Sequence, residues 1–171
     1  MRSSRALTVA AVLAFAAGCG PVSPPASGGR QVQLADPCRL LTQSEIVNVV
    51  GIDFGAAEPV PAEYECNWRS AAPRQDSDQP TVVTVSVYEF RPDGMTALEN
   101  PTPAGGIGDE ADFCGTCIGD RTLYVRKGSA YFSVDEYPCY PIGGTCNIAM
   151  QDEKALALKV LPRLSAMKPS R

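Results

Sequence analysis

The chain has 171 residues, 44% of them apolar, with 15 Gly, 15 Pro and a formal net charge of -4. That length fits one domain of ordinary size, and the many Gly and Pro residues suit a turn-rich, sheet-containing body better than a helical bundle. An acidic balance with no basic stripe argues against nucleic acid as a partner.

Met1 to Gly18 reads as an export leader: Arg2 and Arg5 supply the positive start, Ala6 to Ala17 form a short apolar run, and small residues precede a cut. The apolar run is too short to span a bilayer as a mature helix. Ala16-Ala17-Gly18-Cys19 resembles the lipobox of bacterial lipoproteins, which implies that Cys19 is acylated and becomes the new N-terminus, although Leu is commonest where Ala16 stands. Loss of the leader leaves 13 basic against 19 acidic residues, so attachment rests on the acyl chains and not on a polybasic patch. Two or three such chains make release negligible. Residues 19–35 then form the lipidated Cys and a flexible tether, with Pro21, Pro24, Pro25, Gly28 and Gly29 and a reach of roughly 20 Å. The folded part is expected over residues 36–168, as a single extracytoplasmic domain.

Within it, Thr42 and Glu45 form a capping box, Leu41 and Ile46 stand as a hydrophobic staple, and Gly51 supplies a left-handed stop. A helix over Gln43 to Val50 follows, with Ile46, Val49 and Val50 facing the core. Glu63 to Arg69 alternates, placing Tyr64, Cys66 and Trp68 on one side of a half-buried strand. Ala71 to Pro80 reads as a polar loop, and Thr81 to Phe90 as a more central strand, rich in β-branched and aromatic residues. A short helix over Asp93 to Glu99 and a Pro/Gly turn from Pro101 to Gly106 come next. Arg121 to Lys127 and Ala130 to Glu136 are two strands joined at Gly128-Ser129, a loop suited to a tight hairpin, with Leu123, Val125, Phe132 and Val134 lining one side. Asp152 to Leu164 repeats apolar residues at helical spacing, with Asp152 and Glu153 at its positive end and Pro162 expected to kink or end it. The predicted fold is α+β: a mainly antiparallel sheet with helices packed on one side, stapled by disulfides.

Asp36-Pro37-Cys38-x-Leu40-Leu41-Thr42 with Glu45, then Cys66-x-Trp68, then Gly106-Ile107-Gly108-Asp109-Glu110-Ala111, together resemble a family of actinobacterial envelope lipoproteins that carry a domain of unknown function. The resemblance runs from about Asp36 to Leu164 and implies an extracytoplasmic α+β domain without assigning a site. The cysteines at 114 and 139 lie outside these motifs.

With Cys19 set aside, Cys38, Cys66, Cys114, Cys117, Cys139 and Cys146 make an even set, the pattern of a disulfide framework in an oxidising compartment. Cys38 with Cys66 is the expected first pair, tying the start of the first helix to the first strand. The other four are expected to pair among themselves, either across the two segments or with Cys139 closing on Cys146. Cys114-Gly-Thr-Cys117 has redox-motif spacing, but no helix follows to lower a thiol pKa. The wide gap before Cys139 and Cys146 also fits zinc poorly, because zinc ribbons use a second close pair.

The chain contains no histidine, which removes Ser-His and Cys-His nucleophile pairs and imidazole metal ligands. Carboxylates cluster at Asp109, Glu110 and Asp112 and at Asp135 and Glu136; they could serve glycoside hydrolysis or bind calcium, but read more simply as solvated acidic loops. Tyr88, Tyr131, Tyr137 and Tyr140 could line a ligand groove or partner surface, or cover a core edge. The expectation is a noncatalytic, membrane-tethered binding or sensing module without cofactor or metal, its partner an envelope protein or small apolar ligand. A thiol-redox or other envelope enzyme and a structural envelope component are the alternatives.

Overall fold

The computed structural model describes residues 34–74, 78–92, 101–114, 122–138 and 145–166, with the backbone alone at 145–147 and 165–166. The leader, Cys19, the tether as far as residue 33, the helix expected over 93–99, Cys117, Cys139, Tyr140 and the Cys146 side chain lie outside the described residues.

The first helix forms where local chemistry places it. Asp36 caps a 3-10 turn at Pro37–Arg39, and helix α1 spans Gln43–Val50 behind the capping box. The Glu45 N–H donates to Thr42 Oγ1 (3.3 Å) and the Thr42 N–H to Glu45 Oε2 (2.9 Å), so two otherwise orphaned amides are satisfied reciprocally. A cap of this kind contributes about 1 kcal/mol. Gly51 closes the helix at φ +79°, its N–H donating to the Val47 carbonyl (2.9 Å). Leu41, Ile46 and Val50 are buried, whereas Val49 is only half-buried against the core margin.

Among the described residues seven strands build one sheet: β1 Glu58–Val60, β2 Glu65–Pro73, β3 Pro80–Tyr88, β4 Thr102–Pro103, β5 Glu110–Phe113, β6 Leu123–Lys127 and β7 Ala130–Tyr137. Their order is β1-β2-β3-β7-β6-β5-β4, and every pairing is antiparallel. The β6–β7 hairpin turns at Gly128-Ser129, with Gly128 at φ +62°. Leu123 faces Val134 and Val125 faces Phe132 across it, all four fully buried. Both outer strands are short, and each contains a proline, Pro59 and Pro103.

Helix α2, Thr145–Ala166, packs on β6 and β7 and meets α1. Leu156, Ala157 and Val160 are fully buried in a core shared with Leu40, Ile46, Trp68, Val85 and Phe113. Both helices thus lie on one side of the antiparallel sheet, the α+β arrangement expected from sequence. Arg163 ties the helices together, donating to the Leu40 carbonyl (2.7 Å) and forking onto both Glu45 carboxylate oxygens (2.8 Å each). This hydrogen bonding by Arg163 is the largest influence holding the Glu45 carboxyl down at about 2.

Several element boundaries differ from the sequence reading. Glu63 and Tyr64 belong to a turn before β2, with Tyr64 at φ +53°, and β2 continues to Pro73 through part of the expected loop. β3 ends at Tyr88, leaving Phe90 outside it. Thr102–Pro103 and Glu110–Phe113 are strands where a turn and an acidic loop were expected. Helix α2 starts at Thr145, so Asp152 and Glu153 lie inside it and not at its positive end. It also continues past Pro162, because Pro162 is exposed one turn from exposed Leu158, where water can satisfy the carbonyl that the proline ring leaves unpaired.

Cys38 and Cys66 are disulfide-bonded, with a Cα–Cα separation of 5.1 Å, fastening the 3-10 turn to β2. Closing that 28-residue span stabilises the fold by about 3–4 kcal/mol in the chain-entropy picture. Cys114, buried after β5, is also disulfide-bonded. Gly108, in the glycine-containing motif, sits at φ +63°, where a β-carbon would lie 2.8 Å from Val125 Cγ1 and collide with the Arg126 carbonyl. The motif therefore holds a close backbone crossing onto β6, reinforced by the Asp109 N–H donating to the Arg126 carbonyl (2.8 Å).

Candidate functional site: the sheet face opposite the helices

Strand alternation sends every second side chain away from the helices, and register aligns these into rows across the sheet. One row runs Arg69, Val82, Tyr137; the next Asn67, Thr84, Asp135; the next Glu65, Ser86, Ser133, Tyr124; the last Tyr88, Tyr131, Arg126, Glu110. Helices α1 and α2 gather on the opposite face. This face is therefore a grid of hydroxyl, amide, carboxylate and phenol groups.

Most of the grid is locked by hydrogen bonds between neighbours. The Thr84 hydroxyl donates to Asn67 Oδ1 (2.8 Å), the Ser86 hydroxyl to Glu65 Oε1 (2.9 Å) and the Thr122 hydroxyl to Asp135 Oδ1 (3.2 Å). The Tyr88 hydroxyl bonds Ser133 Oγ (2.9 Å), and the Tyr88 and Tyr124 rings lie 6.4 Å apart at a tilt of 42°. A pre-ordered polar surface loses little side-chain entropy when it binds. Ser86 and Ser133 are buried and spoken for by these bonds, so the geometry suits hydrogen bonding and ring stacking, not nucleophilic attack.

A depression of about 510 Å³ opens at one end, lined by Arg69, Val82, Thr84, Asp135 and Tyr137. Tyr137 is exposed there, and the Arg69 side chain has no hydrogen-bond or ion-pair partner among the described residues. Of the tyrosines singled out from sequence, Tyr88 and Tyr131 face each other in register at the far end of the grid, and Tyr137 marks the near end.

The acidic residues separate by environment. Asp109 accepts the Gly128 N–H (2.7 Å) and Lys127 Nζ (3.1 Å), and the first of these bonds chiefly lowers its pKa. Glu110 accepts from Arg91 (2.6 Å) and Arg126 (3.1 Å), and Asp112 lies on β5. Asp109 and Glu110 are thus paired, and with Asp112 on a strand the three do not form a free loop cluster.

Glu136 departs furthest from the solvated reading: it is 2% exposed, inside the helix–sheet interface, beside Glu153 of α2 at 1%. The Glu136 N–H donates to Glu153 Oε1 (2.9 Å), while the second oxygen of each carboxyl has no hydrogen-bond partner among the described residues. Arg74 bonds Glu136 Oε1, Asp152 Oδ2 (2.7 Å) and the Val50 carbonyl (2.9 Å), joining β7, α2 and the end of α1. Burial pushes the Glu153 carboxyl up to about 10. Burial also dominates at Glu136, raising it to about 7 against the pull of Arg74. A signal for both acids was present in sequence: Glu136 continues the inward alternation of Phe132 and Val134, and Glu153 precedes Ala157 and Val160 by four and seven residues. Groups this deep position elements and do not meet a substrate.

No family model, curated protein or solved structure matches this chain.

Proposed function

We propose that this chain is an exported lipoprotein, akin to the actinobacterial envelope lipoproteins its motifs resemble, held by acyl chains on Cys19 outside the cytoplasmic membrane. Its domain is a noncatalytic binding module that presents the rim of the sheet face opposite the helices, around Tyr131 and Tyr137. Ala16-Ala17-Gly18-Cys19, after a charged and apolar leader, carries the reading of location. The Cys38–Cys66 disulfide agrees with an oxidising compartment. Among the described residues no helix is long and apolar enough to cross a membrane.

Replacing Cys19 with Ala should move the protein from the membrane fraction to the medium. Retention in membranes without acylation would overturn the anchor. For the binding face, Tyr131→Ala combined with Tyr137→Ala should abolish recovery of the envelope component that co-purifies with the native protein, at a cost in stability of about 1 kcal/mol or less for such half-exposed positions. Equal recovery by both proteins would move the interface elsewhere, and a spacer would recover no defined component from either.

A further inference from the structure

Beyond the sheet face, the domain carries an apolar groove at the end where the chain enters it. Leu34, Tyr64, Val87, Phe90 and Pro92 line a depression of about 300 Å³. Phe90 is 74% exposed and Tyr64 53%, an unusual display for two large aromatic side chains converging on one spot. Tyr64 is also held at φ +53°, a conformation costly for an aromatic residue, and is fixed there by the Val87 N–H donating to its carbonyl (3.0 Å). The backbone is thus constrained in a way that keeps the ring at the rim.

The occupant follows from where the chain arrives. Leu34 lines the groove, and only residues 20–33 separate it from Cys19. A segment of that length spans roughly 20 Å on average, so of all the domain's surfaces this end stays nearest an anchored lipid. We infer that the Tyr64/Phe90 groove rests on the membrane interface, making a second, shallow contact beside the acyl anchor; this rests on the anchor reading proposed above. Tyrosine suits that depth, with an apolar ring and a hydroxyl that reaches the headgroups. Glu63 and Glu89 at the groove, where the lining cation, Arg91, is already paired with Glu110, favour a zwitterionic lipid surface over a strongly anionic one. The tether raises the local lipid concentration enough for a contact too weak to hold alone. Such a contact fixes the domain's orientation.

The test uses the lipidated mature protein, beginning at Cys19, in phosphatidylcholine vesicles, with and without brominated acyl chains. Trp68 is the single tryptophan and is 1% exposed, so it supplies an internal baseline. Phe90→Trp adds a fluorophore at an exposed position without disturbing the core, and bromine should quench the added emission at interfacial depth. Wild-type emission should not change. If the variant floats with the vesicles but its added emission is not quenched, the membrane contact is overturned while the anchor stands. Added emission that is blue-shifted yet indifferent to bromine also overturns it and puts a protein segment on the groove. If the Cys19-bearing protein does not float at all, the anchor fails and this contact fails with it.

Discussion

Glu153→Gln should stabilise the domain by about 2–4 kcal/mol at pH 8 and leave it almost unchanged near pH 4.5. Below its ordinary value of 4.5 the Glu153 carboxyl is protonated in both folded and unfolded chains. As the pH rises, the unfolded chain ionises first while the folded one keeps its proton up to about 10, so folding is opposed by up to ~1.4 kcal/mol for each pH unit crossed. Glutamine is neutral throughout and preserves the acceptor for the Glu136 N–H. Glu136, raised to about 7, adds the same kind of loss between pH 4.5 and 7, and the variant should retain that slope. Denaturant melts of both proteins at pH 4.5, 6 and 8 decide the matter. Stability curves that run parallel would show that Glu153 is not held protonated in the interior.

Arg74→Ala should cost about 3 kcal/mol at pH 8, because it strands Glu136 and Asp152 and leaves the Val50 carbonyl without its donor. The loss should shrink toward pH 5, where Glu136 takes up a proton, and combining the change with Glu136→Gln should recover part of it. Equal losses at both pH values, with no recovery in the double variant, would mean that Arg74 contributes packing alone. Together the two variants test whether the helix–sheet interface is tuned to mildly acidic conditions.

Features governed by neighbours in sequence were legible. The Thr42/Glu45 box, the Gly51 stop and the Gly128-Ser129 hairpin are each decided within a few residues. The Cys38–Cys66 pair could be expected because both cysteines sit in strongly patterned segments. Glu110–Phe113 was missed because a four-residue strand carries too little alternation to outweigh its acidic side chains. The buried acids were missed because hydropathy assigns carboxylates to water, whereas position on the strand and helix assigned Glu136 and Glu153 to the core. Arg74, the partner of Glu136 and Asp152, comes from the irregular exit of β2, where periodicity says nothing. The sheet-face grid depends on register between strands distant in sequence, which no single segment reveals.

The two ends of the sheet bear on life at high surface density. If the chain is anchored as proposed above, many copies leashed to one bilayer would meet edge to edge in two dimensions, where an open strand invites polymerisation. Here the terminal strands Glu58–Val60 and Thr102–Pro103 offer only three and two residues, and Pro59 and Pro103 cannot donate. The margins are blunted against growth, so crowding in the plane of the membrane should not turn the domain into a fibre.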